Sequence, residues 1–385
     1  FTDAVGMDLG ADAASRKSYR QLPRIRVTGF IYGDGGTVGS TYVDDSRQQR
    51  WLHFRDNLSV QYRKHTFKFG YDHRFKRDAR LPASAGIGSQ QTYNGQYTGE
   101  AFADFLMGFP QGTARFTAGV PLLDRRYNEL GVFAQDSYKA SQRLTLTFGL
   151  RFDRLSPRRE VHGAFDVFDP GTGAIVVPDQ QSLSLIHPAF PKSIPFKTAE
   201  QAGFPRTLLN PARTLAPRIG FAYRASQRGN LVVRGGWGTY SVDAGTSLNN
   251  FRLFDSGPFS LTETFLNPGR LIGATPLVTL DHPFPTGLGA VPASVSAGGA
   301  PPNIGIPVTQ QYNLTVERQL AGKWAAKLGY VGSRSTQAWY TVDMNRPQPG
   351  LTPYAQVPKR FPLYRSISWF DKGGNAWYNA LQAGL

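Results

Sequence analysis

Few residues in this chain combine the type and the spacing that chemistry requires. Gly235, Gly236 and Gly238 look like part of a nucleotide loop, in which backbone N–H groups cradle phosphate where a helix begins. Here Leu231, Val233 and Trp237 continue a strand pattern straight through them, so glycines that relieve crowding in a sheet are the better reading. The six histidines, His53, His65, His73, His162, His187 and His282, include no pair at metal-ligand spacing. Cysteine is absent, which excludes disulfides and thiolate zinc sites and suits an oxidising compartment. Asp72, Asp153 and Glu317 each stand beside basic neighbours, as salt-bridge partners in a polar wall would. A general acid and base need spatial proximity that spacing does not supply. No catalytic residue, cofactor or metal is expected, and the chain reads as a non-enzyme.

The elements that hold these residues must therefore carry the argument. Among 385 residues there are 42 Gly, 27 Pro, 26 Phe, 17 Tyr and 6 Trp, a composition of many turns and many aromatic strands. No run approaches the roughly 18 apolar residues of a membrane helix, but a membrane strand needs only about 10 residues, alternately apolar. The formal charge of +16 would suit a nucleic-acid binder if it were clustered. Instead Arg55, Arg63, Lys68, Arg151, Arg218 and Arg234 are spread singly, so no nucleic-acid partner is expected. A charged interior and loops near anionic lipid account for the same charge. Phe1 follows no basic, apolar export segment, and the reading expects a fragment whose signal lies upstream.

Alternation with a period of two is the clearest pattern. Leu144, Leu146, Phe148, Leu150 and Phe152 share one face; Arg143, Thr145, Thr147, Gly149, Arg151 and Asp153 share the other. Leu52, Phe54, Leu58, Val60 and Tyr62 oppose His53, Arg55, Asn57, Ser59, Gln61 and Arg63 in the same way. The pattern returns over 67–76, 218–224, 231–238, 311–320 and 323–330, and more weakly over 25–32, 127–138 and 375–385. About ten strands are expected.

Their connections alternate in length. Short links at 64–65, 139–142, 225–229 and 321–322 read as hairpin turns. Long ones at 33–48, 78–126, 156–216, 243–308 and 335–374 exceed what compact soluble domains commonly tolerate. Short turns at one rim and long loops at the other characterise outer-membrane barrels. Tyr62, Phe67, Tyr138, Tyr223 and Trp324 flank the short turns, and Trp51, Phe75, Phe152, Trp237, Tyr312 and Tyr330 lie toward the long loops, as two aromatic girdles would. Phe102, Phe105, Leu106 and Phe109 recur at helical spacing and predict a short helix over Ala101–Gly108, better read as packing its loop than as a binding element.

Several stretches resemble the barrel of TonB-dependent receptors, in particular the Oar-like branch. They are RKHTFKFG at Arg63–Gly70, AFADFLMGFP at Ala101–Pro110 and ELGVFAQDSYKASQRLTLTFGLRFD at Glu129–Asp153. LAPRIGFAY at Leu215–Tyr223, VVRGGWGTY at Val232–Tyr240, QQYNLTVERQL at Gln310–Leu320, LGYVGSRS at Leu328–Ser335 and WYNALQAGL at Trp377–Leu385 follow in the family's order. The family's plug, coupling box and terminal aromatic strand have no counterpart among these residues. The resemblance implies energy-coupled uptake of a large or scarce ligand through a plugged barrel.

The expected fold is all-β: an antiparallel up-and-down outer-membrane β-barrel, partial, with long extracellular loops. Residues 1–24 would be an incomplete upstream strand or loop, and 25–385 the partial transmembrane barrel, a curved wall that closes only with further strands. Arg55, Lys68, Asp72, Arg151, Asp153, Arg234, Glu317 and Lys327 would line the ligand path. Expected partners are outer-membrane lipid, an extracellular ligand whose identity specificity loops do not reveal, and a TonB-type energy-coupling complex acting through the missing amino-terminal part. The expected location is the outer membrane of a Gram-negative bacterium. A structural or adhesive barrel without import, and a secreted soluble β-protein that binds glycans, are the alternatives.

Overall fold

A computed structural model describes residues 24–30, 37–38, 48–80, 89–118, 123–226, 230–241, 258–268, 276–291, 294–320, 322, 324–353 and 356–385. The expected upstream segment falls outside them except for Arg24, as do 227–229 and Ala321 of two short links.

The described residues open with β1 (Arg24–Val27) and β2 (Thr37–Val38), then two long strands, β3 (Gln48–Tyr62) and β4 (His65–Arg80). Strand β5 (Ser89–Tyr93), helix α1 (Ala101–Leu106) and β6 (Gly112–Ala118) precede the hairpin of β7 (Leu123–Lys139) and β8 (Leu144–Leu155). Next come β9 (Arg159–Glu160), β10 (Val167–Asp169), β11 (Ala174–Val177), α2 (Gln180–Ser184), β12 (Phe196–Thr198) and α3 (Ala199–Ala202). The hairpin of β13 (Ala212–Arg224) and β14 (Leu231–Ser241) leads to β15 (Ser260–Leu266) and β16 (Val295–Gly299). The described chain ends with β17 (Val308–Gln319), β18 (Ala325–Asp343) and β19 (Tyr364–Gly384).

Nine long strands build one antiparallel wall in the order β3-β4-β7-β8-β13-β14-β17-β18-β19, each paired with its sequence neighbour in the wall. The short β16 adds in parallel to β19, and β9 pairs with β7. Every strand predicted from alternation is present except the one at 25–32. Its residues form β1, which pairs in parallel with β5 in a separate five-stranded sheet, β15-β6-β5-β1-β2. Among the described residues the wall thus has nine long antiparallel strands and the short additions β9 and β16, in keeping with the expected count of about ten. Local alternation cannot distinguish the two sheets, because the choice depends on a partner some 65 residues downstream (Arg24 opposite Gln90).

Registers put the predicted apolar residues on one face. Phe54 lies opposite His73, Leu58 opposite Phe69, Phe148 opposite Ile219 and Asp136, and Val316 opposite Val233 and Leu328. Leu58, Phe148 and Ile219 are 59%, 49% and 53% exposed, so this face is apolar and uncovered by protein. Trp51 departs from the expected girdle: its register partner is Lys76 on the polar face, whose ammonium lies 5.8 Å from the indole. Tyr312 and Tyr330 also lie within the wall, with both hydroxyls donating to Asn379 Oδ1 at 2.8 Å.

The tightly buried residues lie elsewhere. The long connections fold into a layer around the three-stranded sheet β10-β11-β12. Phe165, Val167, Val176 and Leu208 pack on one side of it, with Trp339 and Phe370 of β18 and β19. Phe168, Ile175, Phe190, Tyr364 and Ile367 pack on the other. β11 is AIVV with all four residues buried, a strand covered on both faces. The described parts of the connections at 156–216 and 243–308 thus contribute to a folded roof, and half of 335–374 belongs to β18 and β19. A bulge between Ser335 and Ala338 marks where these two strands leave the regular wall.

The predicted helix is present as α1. Asp104, fully buried, accepts from Thr98 N–H at 2.9 Å and from its hydroxyl at 2.7 Å. Phe105 packs edge-on to Tyr93 and Phe102 stacks on Phe30, whereas Leu106 points outward at 70% exposure.

Candidate functional site: the charged cleft of the polar face

All eight residues predicted for the ligand path fall on the polar face. Arg55 is opposite Asp72, Lys68 opposite Ser59 and Gln135, Arg151 opposite Phe133 and Ala216, and Asp153 opposite Gly131 and Thr214. Arg234 is opposite Thr315, and Glu317 lies between Val232 and Lys327. Asp72, Arg151 and Asp153 are brought into one cleft of about 180 Å³ together with Arg74, Glu129, Arg218 and Tyr240. Arg55 reaches its edge, 3.9 Å from Asp72. Arg234 and Glu317 meet separately at 3.6 Å; Lys68 and Lys327 stand outside the cleft.

A network of alternating sign holds the cleft. The Asp72 carboxylate lies 3.2 Å from His53 Nε2 and 3.3 Å from Arg74 Nε. Glu129 joins Arg74 at 3.6 Å to Lys76 at 2.6 Å. Arg151 folds back onto Asp153, its Nε and Nη2 within 3.0 Å of the carboxylate. That fold needs Gly131, because a Cβ there would overlap the guanidinium. Arg218 stacks 4.5 Å over the Tyr240 ring, and its Nε has no hydrogen-bond partner. This guanidinium carries a charge-assisted donor aimed at no protein acceptor. Glu129 and Tyr240 were not predicted, since β7 alternates weakly and Tyr240 follows the glycine-rich stretch of β14. The parity of Arg74 and Arg218 marked their face but not their partners.

Above the wall, Asp166 is enclosed in the roof, and burial raises its carboxyl well above the usual range. Its Oδ1 has no hydrogen-bond partner. At Asp179 burial acts in the same upward sense, but the Ser182 N–H and the Arg206 guanidinium outweigh it and hold the carboxyl below its usual value. Among the described residues no group of three His, Asp or Glu side chains is placed to hold a metal.

An uncovered apolar face, a polar face, short links at one rim and long folded connections at the other define an outer-membrane barrel wall. The chain belongs to the family described as outer membrane beta barrel domain, whose model matches residues 2–385. This places it in the outer membrane of a Gram-negative bacterium. No curated relative matches it. Among solved structures it is similar to the outer membrane transporter YddB from Escherichia coli, at 7% identity and TM-score 0.49, over 95% of this chain and 34% of that one. It is also similar to the siderophore receptor PirA from Acinetobacter baumannii, at 11% identity and TM-score 0.41, over 94% and 37%. The ferric enterobactin receptor mutant Q482A from Pseudomonas aeruginosa, in complex with enterobactin, gives 10% identity and TM-score 0.40, over 94% and 36%. The chain spans about a third of the length of these structures.

Proposed function

We propose that the protein is an outer-membrane receptor and transporter that captures a large or scarce ligand with its roof and passes it along the polar face. The observation that supports this reading is the charged cleft, in which Asp72, Arg151, Asp153 and Arg218 gather on the polar face of the wall. Energy coupling through a TonB-type complex and a plug, and the Oar-like branch, rest on the ordered segments from Arg63 to Leu385 that resemble that family. Arg55, Lys68, Arg234, Glu317 and Lys327 would continue the path on either side of the cleft. Family membership removes the ground for a secreted soluble glycan binder, and an adhesive barrel is the remaining competitor.

Uptake of labelled ferric siderophores, oligosaccharides and peptides by cells expressing the full-length protein separates the two. Transport predicts internalised label that disappears without the energy-coupling complex and falls about tenfold in Arg151→Ala/Asp153→Ala at equal surface level. Label that stays bound outside, with or without the complex, would support adhesion instead.

A further inference from the structure

The apolar face of the wall ends at its long-loop rim in arginines. Arg50 lies opposite Arg77, Arg77 opposite Arg126, and Arg126 opposite Arg159, so four neighbouring strands present guanidiniums side by side. Four residues down the wall from Arg126, Arg154 opposes Arg213. Each pair is a cross-strand contact of like charge, an arrangement that destabilises a sheet unless something offsets it. Asp124 offsets part of it, accepting Arg77 at 2.9 Å and Arg126 at 3.1 Å. Arg50, Arg154, Arg159 and Arg213 have no ion pair among the described residues. Six arginines thus face one carboxylate.

Their parity decides what could answer that charge. Arg50 shares its face with Leu52, Arg77 with Phe75, Arg154 with Phe152 and Arg213 with Leu215, each two residues along the strand. Leu52 and Leu215 are 57% and 61% exposed. Arg50, Arg77, Arg154 and Arg213 each follow the last large apolar residue of their strand on this face toward the long loops, with Arg126 one step beyond Asn128, and at this level a lipid-facing arginine costs little. A partner that fits must join anionic groups to hydrocarbon. Long loops face outward, and the outward leaflet of a Gram-negative outer membrane consists of a glycolipid with acyl chains below a phosphorylated sugar pair.

The geometry points to a lipid A docking surface on the outside of the wall: the Arg50–Arg77–Arg126–Arg159 row and the Arg154–Arg213 pair grip the two phosphates of the headgroup while Leu52, Phe75, Phe152 and Leu215 meet its acyl chains. Planar guanidiniums clasp phosphate oxygens two at a time, which explains why the positions are arginine throughout and not lysine. This surface is on the opposite face from the ligand path and stands whether or not the protein transports anything.

Native mass spectrometry of the full-length protein in detergent, titrated with bisphosphorylated lipid A, dephosphorylated lipid A and phosphatidylglycerol, tests the assignment. The protein is expected to hold bisphosphorylated lipid A at least about tenfold more tightly than either other lipid. Arg50→Gln/Arg154→Gln/Arg213→Gln is expected to lose about tenfold, whereas Lys139→Gln/Arg143→Gln/Arg224→Gln, which removes equal charge from the short-turn rim, is expected to bind as the parent does. Equal retention of dephosphorylated lipid A by the parent would overturn the proposal, and so would equal retention of phosphatidylglycerol, or normal binding by the Arg50→Gln/Arg154→Gln/Arg213→Gln variant. Because the lipid comparison uses the unaltered protein, it decides the question even if the rim variant does not assemble.

Discussion

At the scale of single residues, orientation in the wall makes adjacent positions behave oppositely. Phe148 stands on the uncovered apolar face, while Thr147 points to the polar side, 3.5 Å from Ser137 Oγ. Phe148→Arg is expected to cost roughly 2–4 kcal/mol near the bilayer midplane and to reduce the assembled fraction in outer-membrane preparations; Thr147→Arg should assemble normally. Similar yields of both would reverse the assigned faces. In the roof, Asp166 gives a pH dependence of definite sign. Its native carboxyl stays protonated above the pH, ordinarily near 3.8, at which the unfolded one ionises. The unfolded state therefore holds fewer protons over that window, and roof stability falls as pH rises through it, by about 1.4 kcal/mol per pH unit. Asp166→Asn does not titrate. Hydrogen exchange of the β11 amides should show the variant equal to the parent below pH ~3.8 and more protected at pH 7.

At the scale of elements, strand pairing depends on where a side chain is missing. The Phe133 ring of β7 lies over Gly70 of β4, and the Tyr312 ring of β17 lies over Gly332 of β18. A methyl group at either position would overlap the neighbouring ring, so Gly70→Ala and Gly332→Ala are each expected to lower stability by about 1–3 kcal/mol. At Gly149 an added Cβ meets Gln135 at an ordinary 3.6 Å, so Gly149→Ala should stay within about 0.5 kcal/mol of the parent. Urea midpoints of the three variants in lipid vesicles would show whether ring-over-glycine contacts hold these strand pairs. The wall strands were legible because lipid on one side and water on the other force a two-residue alternation over long stretches. β10, β11 and β12 were not, because burial on both faces erases alternation and their partners come from distant parts of the chain. The same limit applies to the cleft: parity put Asp72, Arg151 and Asp153 on the polar face, but only the register brings Glu129 to Arg74 and stands Tyr240 under Arg218.

At the scale of the whole molecule, wall and roof are two different solutions to the burial of apolar surface. The wall turns its large side chains outward, while the roof holds the dry interior that a soluble domain would have. They are joined where β18 and β19, at 19 and 21 residues, outrun the roughly ten that a tilted strand needs to cross the hydrocarbon. At about 3.3 Å per residue the surplus is on the order of 30 Å of strand, and it carries Trp339 and Phe370 into the roof core. For anything approaching the cell from outside, such as an antibody or a phage tail fibre, the first surface encountered is this folded roof. Recognition there would be conformational: antibodies raised on the intact protein would find it, whereas those raised on linear peptides from β10 to β12 would seek strands whose faces are closed to them.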